Sequence, residues 1–242
     1  MSDSPNQGRF GGRWFIPAAI VIALVIVLVV VLVVVNLAGG KKAPAADPTS
    51  AAPSTTTPAV PASAKSVCGL KGYETTNTLT AAPSTSWKLV GTVAAPNEPN
   101  GAGPGDVASD GFRSCYAHTA KGALYAAANI LAMGSDANLG AELSDKQVVP
   151  GAGRDAAMKS SSGASTDGPR VQIAGYRVLD YSGDAATIDL AVSISNGDMA
   201  SIPTQLQWSG GDWKVVLTDS GQPPVGSSAL SNLGGYTPWS GA

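Results

Sequence analysis

The chain has 242 residues, of which 13% are charged, and its formal net charge at pH 7 is −2. This length leaves room for one ordinary domain with appendages, and the weak charge gives no basic surface of the kind that binds nucleic acid. Zinc sites normally need three or four Cys, His or carboxylate ligands at suitable spacing; none is recognisable here, and no catalytic motif is visible. We therefore expect neither enzymatic activity nor a cofactor, metal or direct nucleic-acid partner.

An uncharged apolar run covers residues 15–38 and reads FIPAAIVIALVIVLVVVLVVVNLA. As a helix it would span roughly 36 Å, which is enough to cross the core of a bilayer. A cleaved signal peptide is the alternative, but its apolar region is usually about 7–15 residues long and ends at a small-residue cleavage site. The sequence therefore predicts a single-pass transmembrane helix that contacts the lipid bilayer through residues 15–38.

The residues on either side of this run set the expected topology. Residues 1–14 would form a short tail, whereas both cysteines, Cys68 and Cys115, follow the helix. Residues 39–66 are rich in Pro, Thr, Ser and Ala and lack the side chains of a core, which predicts a disordered stalk. Because disulfides persist in oxidising compartments, we expect a cell-membrane protein with a cytoplasmic N-terminus and an extracytoplasmic C-terminal domain.

The folded domain is predicted at residues 67–224, followed by a C-terminal tail at 225–242. Residues 87–93 alternate in polarity and predict a strand, and residues 94–108 are typical of a long loop. Weaker patterns predict short helices within Ala141–Val149 and Arg154–Lys159, before a loop at 160–168.

A longer helix is predicted between a cap at Ser109 or Asp110 and an end at Gly134. Apolar residues recur there at three- and four-residue spacing, which is one face of a helix. His118 would lie roughly opposite that face, so we expect a solvated or capping histidine. Cys68 and Cys115 are predicted to form a disulfide, which would tie the stalk to this helix; two unpaired buried thiols are the alternative.

From Arg170 to Thr218 the period changes to two, which predicts four antiparallel strands with one apolar face. A three-residue loop at 195–197 sets Leu190 opposite Ile202 and keeps that face apolar. A turn at Gly210-Gly211 sets Trp208 opposite Trp213. We interpret the two tryptophans first as a hairpin clasp and second as a binding site.

Arg177 is the residue that fits this sheet least well. In a regular register it falls on the apolar face opposite Ile188, where an unpaired charge is costly, and Asp189 falls on the other face. Either Gly175 introduces a bulge that turns Arg177 outward, or Arg177 lines the mouth of a pocket beside a carboxylate or ligand. Arg177, Trp208 and Trp213 are thus the candidate pocket or interaction residues.

Helices followed by a curled antiparallel sheet indicate an α+β domain. This order resembles the cone-like nuclear transport factor 2-like fold over residues 86–219, most closely at LQWSGGDWKVV. The stretch GFRSCYAHTAKGALYAAANILA is similar to a pattern in membrane-anchored proteins of actinobacterial mobile and conjugative elements, although Ala120 stands where that pattern often has Pro.

These resemblances imply a bitopic component of a type IV secretion or conjugation channel, similar to the TcpC-like family. Such a protein would act in assembly, by associating with itself and with other channel subunits, and would need no catalytic residue. The alternatives are a ligand-binding module and an accessory protein of a cell-envelope lipid transporter.

Overall fold

The computed structural model describes residues 65–160 and 170–241, which form an α+β domain. Its helices are α1 (Ala120–Gly134), α2 (Gly140–Lys146) and α3 (Ala152–Ser160). Its strands are β1 (Ser86–Val90), β2 (Val93–Asn97), β3 (Asp106–Val107), β4 (Arg113–Ser114), β5 (Val171–Tyr181), β6 (Ala185–Ile194), β7 (Met199–Ser209), β8 (Asp212–Val215), β9 (Ser228–Leu230) and β10 (Thr237–Pro238).

The tail and membrane helix predicted within residues 1–38 lie outside the described residues, as do most of the stalk and nearly all of the 160–168 loop. Among the helices that are described, none is both long and apolar enough to cross a membrane.

The main sheet has six antiparallel strands, in the order β10-β5-β6-β7-β8, with β9 pairing to β7 beside β8. The predicted fold class, a nuclear transport factor 2-like cone with a four-stranded sheet, is therefore wrong. The two additional strands come from residues 225–242, which we had interpreted as a tail. They dock because Tyr236 and Trp239 are buried, with only 8% and 6% of their surface exposed.

The pairing of β5 with β6 contains two irregularities, the first of which lies beside Gly175, where the sequence left a bulge open. Ile173 pairs with Val192, as a regular register from a two-residue turn at Ser182-Gly183 predicts, but the register shifts at Ala174 and again at Leu179. Each shift is a bulge on β5. Together they offset a turn that is two residues longer than expected, because Tyr181 pairs with Ala186.

The next two hairpins have the predicted registers. Leu190 pairs with Ile202 across the loop at 195–197, where Gly197 has a φ of 95°. Trp208 pairs with Trp213 across Gly210-Gly211, and both of these glycines also have positive φ values.

Helix α1 begins later than the sequence pattern predicts but ends at Gly134 as expected. The side chain of Thr119 caps it by accepting the backbone N–H of Gly122 at 3.0 Å. Cys115 has a φ of 66°, which is incompatible with a helix, and Arg113–Ser114 forms β4 instead. His118 therefore lies before the helix, in the segment that joins it to β4.

The segment predicted as one strand at 87–93 is the hairpin of β1 and β2, which turns at Gly91 with a φ of 54°. Helix α1 packs against β2 and against the main sheet. Its alanines, of which Ala123, Ala126 and Ala127 are at most 1% exposed, allow this close approach. The core therefore lies between α1, the β1–β2 hairpin and the inner face of the main sheet.

Candidate functional site

The tryptophan hairpin is packed into the core. The rings of Trp208 and Trp213 meet edge to face, with centroids 5.4 Å apart and planes at 74°. The indole Nε1 of Trp213 donates to the carbonyl of Ala117 at 3.0 Å, and Trp213 is fully buried. These contacts favour the interpretation of the hairpin as a clasp, because the tryptophans fill the space that a ligand would need.

His118 completes this cluster, which we call the aromatic clasp (His118, Trp208 and Trp213). Its ring stacks on Trp208 at a centroid distance of 3.9 Å and an interplanar angle of 5°. Nε2 lies 3.1 Å from the carbonyl oxygen of Gly183 and 3.2 Å from Oδ1 of Asp184. Our expectation of a solvated or capping histidine was wrong, because the helix starts after His118 and the side chain is fully buried.

Asp212 is a buried residue that the sequence analysis missed. Oδ1 accepts the backbone N–H of Tyr116 at 2.9 Å, and Oδ2 accepts that of Cys115 at 2.8 Å and Nε2 of Gln147 at 3.3 Å. Burial raises the pKa of this carboxyl above its ordinary value, although these hydrogen bonds act in the opposite direction. In the predicted register of the tryptophan hairpin, Asp212 lies on the polar face, opposite to that of Trp213. That register gives no sign that residues 115–116 cover the polar face.

The disulfide between Cys68 and Cys115 is present, with Cα atoms 6.0 Å apart. It joins the beginning of the domain to the connection between β4 and α1. Next to it, the backbone N–H of Val67 donates to the carbonyl of Gly211 at 2.8 Å. The N-terminal end of the described chain is thus fixed to the connection between β4 and α1 by one covalent bond, and to the tryptophan hairpin by one backbone hydrogen bond.

Arg177 lies on the opposite face of the sheet from the aromatic clasp. The bulge at Ala174 brings it opposite Asp189, whose carboxylate Oδ2 accepts Nε at 3.0 Å and Nη2 at 2.8 Å. Asp189 is 1% exposed and also accepts the hydroxyls of Tyr236, at 2.7 Å, and Ser201, at 2.6 Å. The hydrogen bonds to Asp189 raise the pKa of the Arg177 guanidinium. Arg177, Trp208 and Trp213 therefore do not form one pocket.

The surface of the described residues includes two open clefts. One, of about 400 Å³, lies by the β5–β6 turn and is lined by the acidic residues Asp180 and Asp184 together with neutral residues. The other, of about 580 Å³, lies at the open end of the β1–β2 hairpin. In the part of the chain that the structure describes, no group of three or more His, Cys, Asp or Glu side chains could hold a metal ion.

A family model described as Domain of unknown function (DUF8175) matches residues 47–238. The chain belongs to this family. The match ends with β10, so the DUF8175 domain includes the two short C-terminal strands that complete the main sheet. Searches of the curated proteins and of the solved structures return no significant match.

Proposed function

We propose that this protein is a non-enzymatic assembly component that holds its DUF8175 domain outside the cell membrane by means of residues 15–38. The observation that carries the proposal is the fixed start of the domain. Cys68 is bonded to Cys115, and Val67 donates to Gly211 on the tryptophan hairpin. Such an attachment fixes where the stalk leaves the domain, which suits a domain that is held away from the membrane while it contacts other proteins.

The interior of the domain supports a binding role over catalysis. The aromatic clasp and Trp239 fill the space between α1 and the sheet, and Trp239 packs on Tyr125 and Tyr176 at centroid distances of 5.7 and 5.6 Å. A small-molecule enzyme usually encloses its substrate in a concave pocket. In this domain aromatic side chains occupy the interior, so partners would bind to the outer surface. An assembly component makes its contacts through such a surface.

The proposed machine is a conjugation or type IV secretion channel. The support for this choice is the similarity of the stretch GFRSCYAHTAKGALYAAANILA to membrane-anchored proteins of actinobacterial conjugative elements. That stretch supplies β4, Cys115, His118 and α1, and thus the residues that hold the start of the domain. On this proposal the partners are further copies of the chain and other channel subunits.

Cross-linking in intact cells, followed by affinity purification from membranes, tests this proposal. We expect the full chain to recover copies of itself together with a coupling ATPase or channel subunits. A variant in which Cys68 and Cys115 are both replaced by Ser serves as a comparison, because it keeps the membrane segment but loses the fixed attachment. Recovery of monomer alone from the unaltered chain would contradict an assembly role.

A thiol-labelling experiment tests the proposed location independently. If the domain is extracytoplasmic, alkylation of the protein from cells without prior reduction should leave both cysteines unlabelled, because they are joined. Labelling of both would contradict the oxidising location. One observation favours the alternative of a ligand-binding module, namely the cleft at the open end of the β1–β2 hairpin.

A further inference from the structure

The cleft of about 580 Å³ at the open end of the β1–β2 hairpin is lined mainly by polar residues, whose carbon atoms supply about as much of its surface as their polar atoms do. Its lining residues are Ser84, Thr85, Ser86, Asn97, Glu98, Pro99, Asn100 and Gly101. Hydrogen bonds between its lining residues hold the walls of the cleft together. The Ser86 hydroxyl donates to the carbonyl of Asn97 at 2.6 Å, and the N–H of Asn97 donates to the Thr85 hydroxyl at 3.3 Å. The shape of the cleft is thus built by the domain itself.

Asn97 is held in place by a buried arginine. Nη1 of Arg113 donates to Oδ1 of Asn97 and to Oδ1 of Asn129, each at 3.3 Å. With its oxygen engaged in this way, the Asn97 amide keeps its Nδ2 hydrogens available, since none of the described residues accepts from them. Asn97 therefore offers a hydrogen-bond donor to the cleft.

Glu98 is held in the same manner by a lysine. Nζ of Lys121 lies 2.6 Å from Oε2 of Glu98, and the N–H of Ala102 donates to the same oxygen at 3.3 Å. Lys121 in turn lies over the ring of Tyr125, with Nζ 5.4 Å from the ring centroid. The other carboxylate oxygen, Oε1, accepts no well-formed hydrogen bond from the described part of the chain. The Tyr125 hydroxyl lies near this carboxylate, and its pKa is raised to about 12 by burial and, to a smaller extent, by Glu98.

The side chains of Asn97 and Glu98 thus present one donor and one acceptor. Each contacts a cationic side chain, which is Arg113 for Asn97 and Lys121 for Glu98. Orientation before binding lowers the entropy that a ligand must offset. A neighbouring pair of hydroxyl groups matches this arrangement, because one hydroxyl can accept from Asn97 while the other donates to Glu98.

The charges around the cleft favour a neutral ligand. An anion would meet the free oxygen of Glu98 directly, whereas Arg113 is 7% exposed and lies behind Asn97. A cation would meet a carboxylate that Lys121 already neutralises, with the guanidinium of Arg113 adding a second positive charge nearby. The lining contains Pro99 but no large apolar or aromatic side chain, so it does not form the apolar pockets that hold peptide side chains.

We propose that this cleft is a binding site for a neutral sugar ring, with Asn97 and Glu98 bridging two adjacent hydroxyl groups. The site is open, so binding should be weak for a single ring and stronger for a glycan that extends along Ser84–Ser86 and Asn100. It does not depend on the proposed assembly role.

Saturation-transfer difference NMR on the full chain, purified in a detergent without sugar head groups, tests this inference. Methyl glucoside is the probe, and the methyl glycosides of glucuronic acid and glucosamine have the same ring with a negative and a positive charge. N-acetylglycinamide represents a neutral peptide. We expect saturable transfer to methyl glucoside, with weaker transfer to the other three.

Asn97→Asp separates binding from folding. The substitution replaces the donor with an acceptor and should weaken glucoside binding about tenfold. It also gives Arg113 a carboxylate partner, so the thermal midpoint should not fall. Asn232→Asp, an exposed position on the C-terminal segment, makes the same change of charge and should leave binding unaltered.

Three results would overturn the sugar site. They are the absence of saturable transfer to methyl glucoside, unchanged affinity in Asn97→Asp, and tighter binding of glucuronide, glucosaminide or N-acetylglycinamide. The third result would assign the cleft to a charged or peptide ligand. Because the measurement uses the purified chain, none of these results bears on the cross-linking test of the assembly role.

Discussion

The carboxylate of Asp212 accepts the backbone N–H of Cys115 at 2.8 Å, although the two residues lie 97 positions apart in the chain. Among the residues that the structure describes, Cys115 is the non-glycine residue with a positive φ, 66°, and its side chain forms the disulfide with Cys68. A non-glycine residue adopts this conformation only where its surroundings determine it. The hairpin tip, the disulfide and the segment before α1 therefore form one connected unit.

Asp212→Asn should destabilise this unit. Each carboxylate oxygen accepts two donors, because the backbone N–H of Trp213 also donates to Oδ1, at 2.9 Å. The amide has only one acceptor oxygen, so two of these four donors would lose their partner. The expected loss in the free energy of unfolding is about 2–4 kcal/mol, measured by urea unfolding at pH 7. A loss below about 0.5 kcal/mol would show that these hydrogen bonds are not a significant source of stability.

The pH dependence provides a second test of Asp212. Because burial raises its folded-state pKa above the ordinary value, the folded protein binds a proton more readily than the unfolded chain at this group. Its contribution to stability is therefore fully present below the unfolded pKa and is lost as pH rises through the folded pKa. The stability difference between the native protein and Asp212→Asn should accordingly grow as the pH is lowered from 7 towards 4. A constant difference would contradict the raised pKa.

Reduction of the disulfide should also weaken the domain. The Cys68–Cys115 bridge spans 47 positions, and closing a loop of that size contributes about 4 kcal/mol in the chain-entropy model. We expect the urea midpoint to fall on treatment with dithiothreitol. The variant with Ser at both positions should match the reduced protein and should not respond to the reductant. If the urea midpoint of that variant also fell with dithiothreitol, the effect of the reductant would not come from the disulfide.

His118 should contribute to stability mainly through its ring. His118→Ala removes the stacking partner of Trp208 and leaves a cavity, at a cost of about 3 kcal/mol. His118→Phe keeps a ring of similar size and should cost about 1 kcal/mol, because it loses the polar contacts at Nε2. Near-ultraviolet circular dichroism should report the loss of tryptophan packing in the alanine variant. Equal costs for the two variants would contradict a packing role.

The strand registers around the hairpins could be predicted because they depend on local rules. Trp208 opposite Trp213 follows from the Gly-Gly turn and the alternation of polarity, and Leu190 opposite Ile202 follows from the loop length. The position of Arg177 depended on whether β5 contains a bulge, and polarity alone left both outcomes open. The bulge shifts Arg177 from Ile188 to Asp189, which gives the charge a partner.

The errors arose where distant segments decide the structure. The three- and four-residue spacing that suggested an earlier helix start continues through residues 112–119, but Asp212 holds residues 115–116 in a different conformation. The strands β9 and β10 are too short to show a period, and they form because Tyr236 and Trp239 find buried positions against β5 and β7. In the cleft, Asn97 and Glu98 gain their significance from Arg113 and Lys121, whose proximity no spacing rule predicts.

The attachment of the C-terminal segment rests on the hydroxyl of Tyr236, which donates to the buried carboxylate of Asp189 at 2.7 Å. Tyr236→Phe removes one hydrogen bond to a charged group and should lower the free energy of unfolding by about 1.5–3 kcal/mol. The same substitution at Tyr116 is the matched control. Its hydroxyl is buried and has no hydrogen-bond partner among the described residues, so Tyr116→Phe should be neutral or slightly stabilising.

Urea unfolding followed by tryptophan fluorescence distinguishes these two variants, and limited proteolysis adds a local measurement. Only Tyr236→Phe should increase cleavage between β9 and β10, because loss of the hydrogen bond from Tyr236 to Asp189 frees the segment that brings β10 to β5. If both variants lost the same free energy of unfolding, the hydrogen bond from Tyr236 to Asp189 would make no specific contribution to stability in solution. Asp189 would then depend on Arg177 and Ser201 alone, and the C-terminal strands would be held by the packing of Trp239.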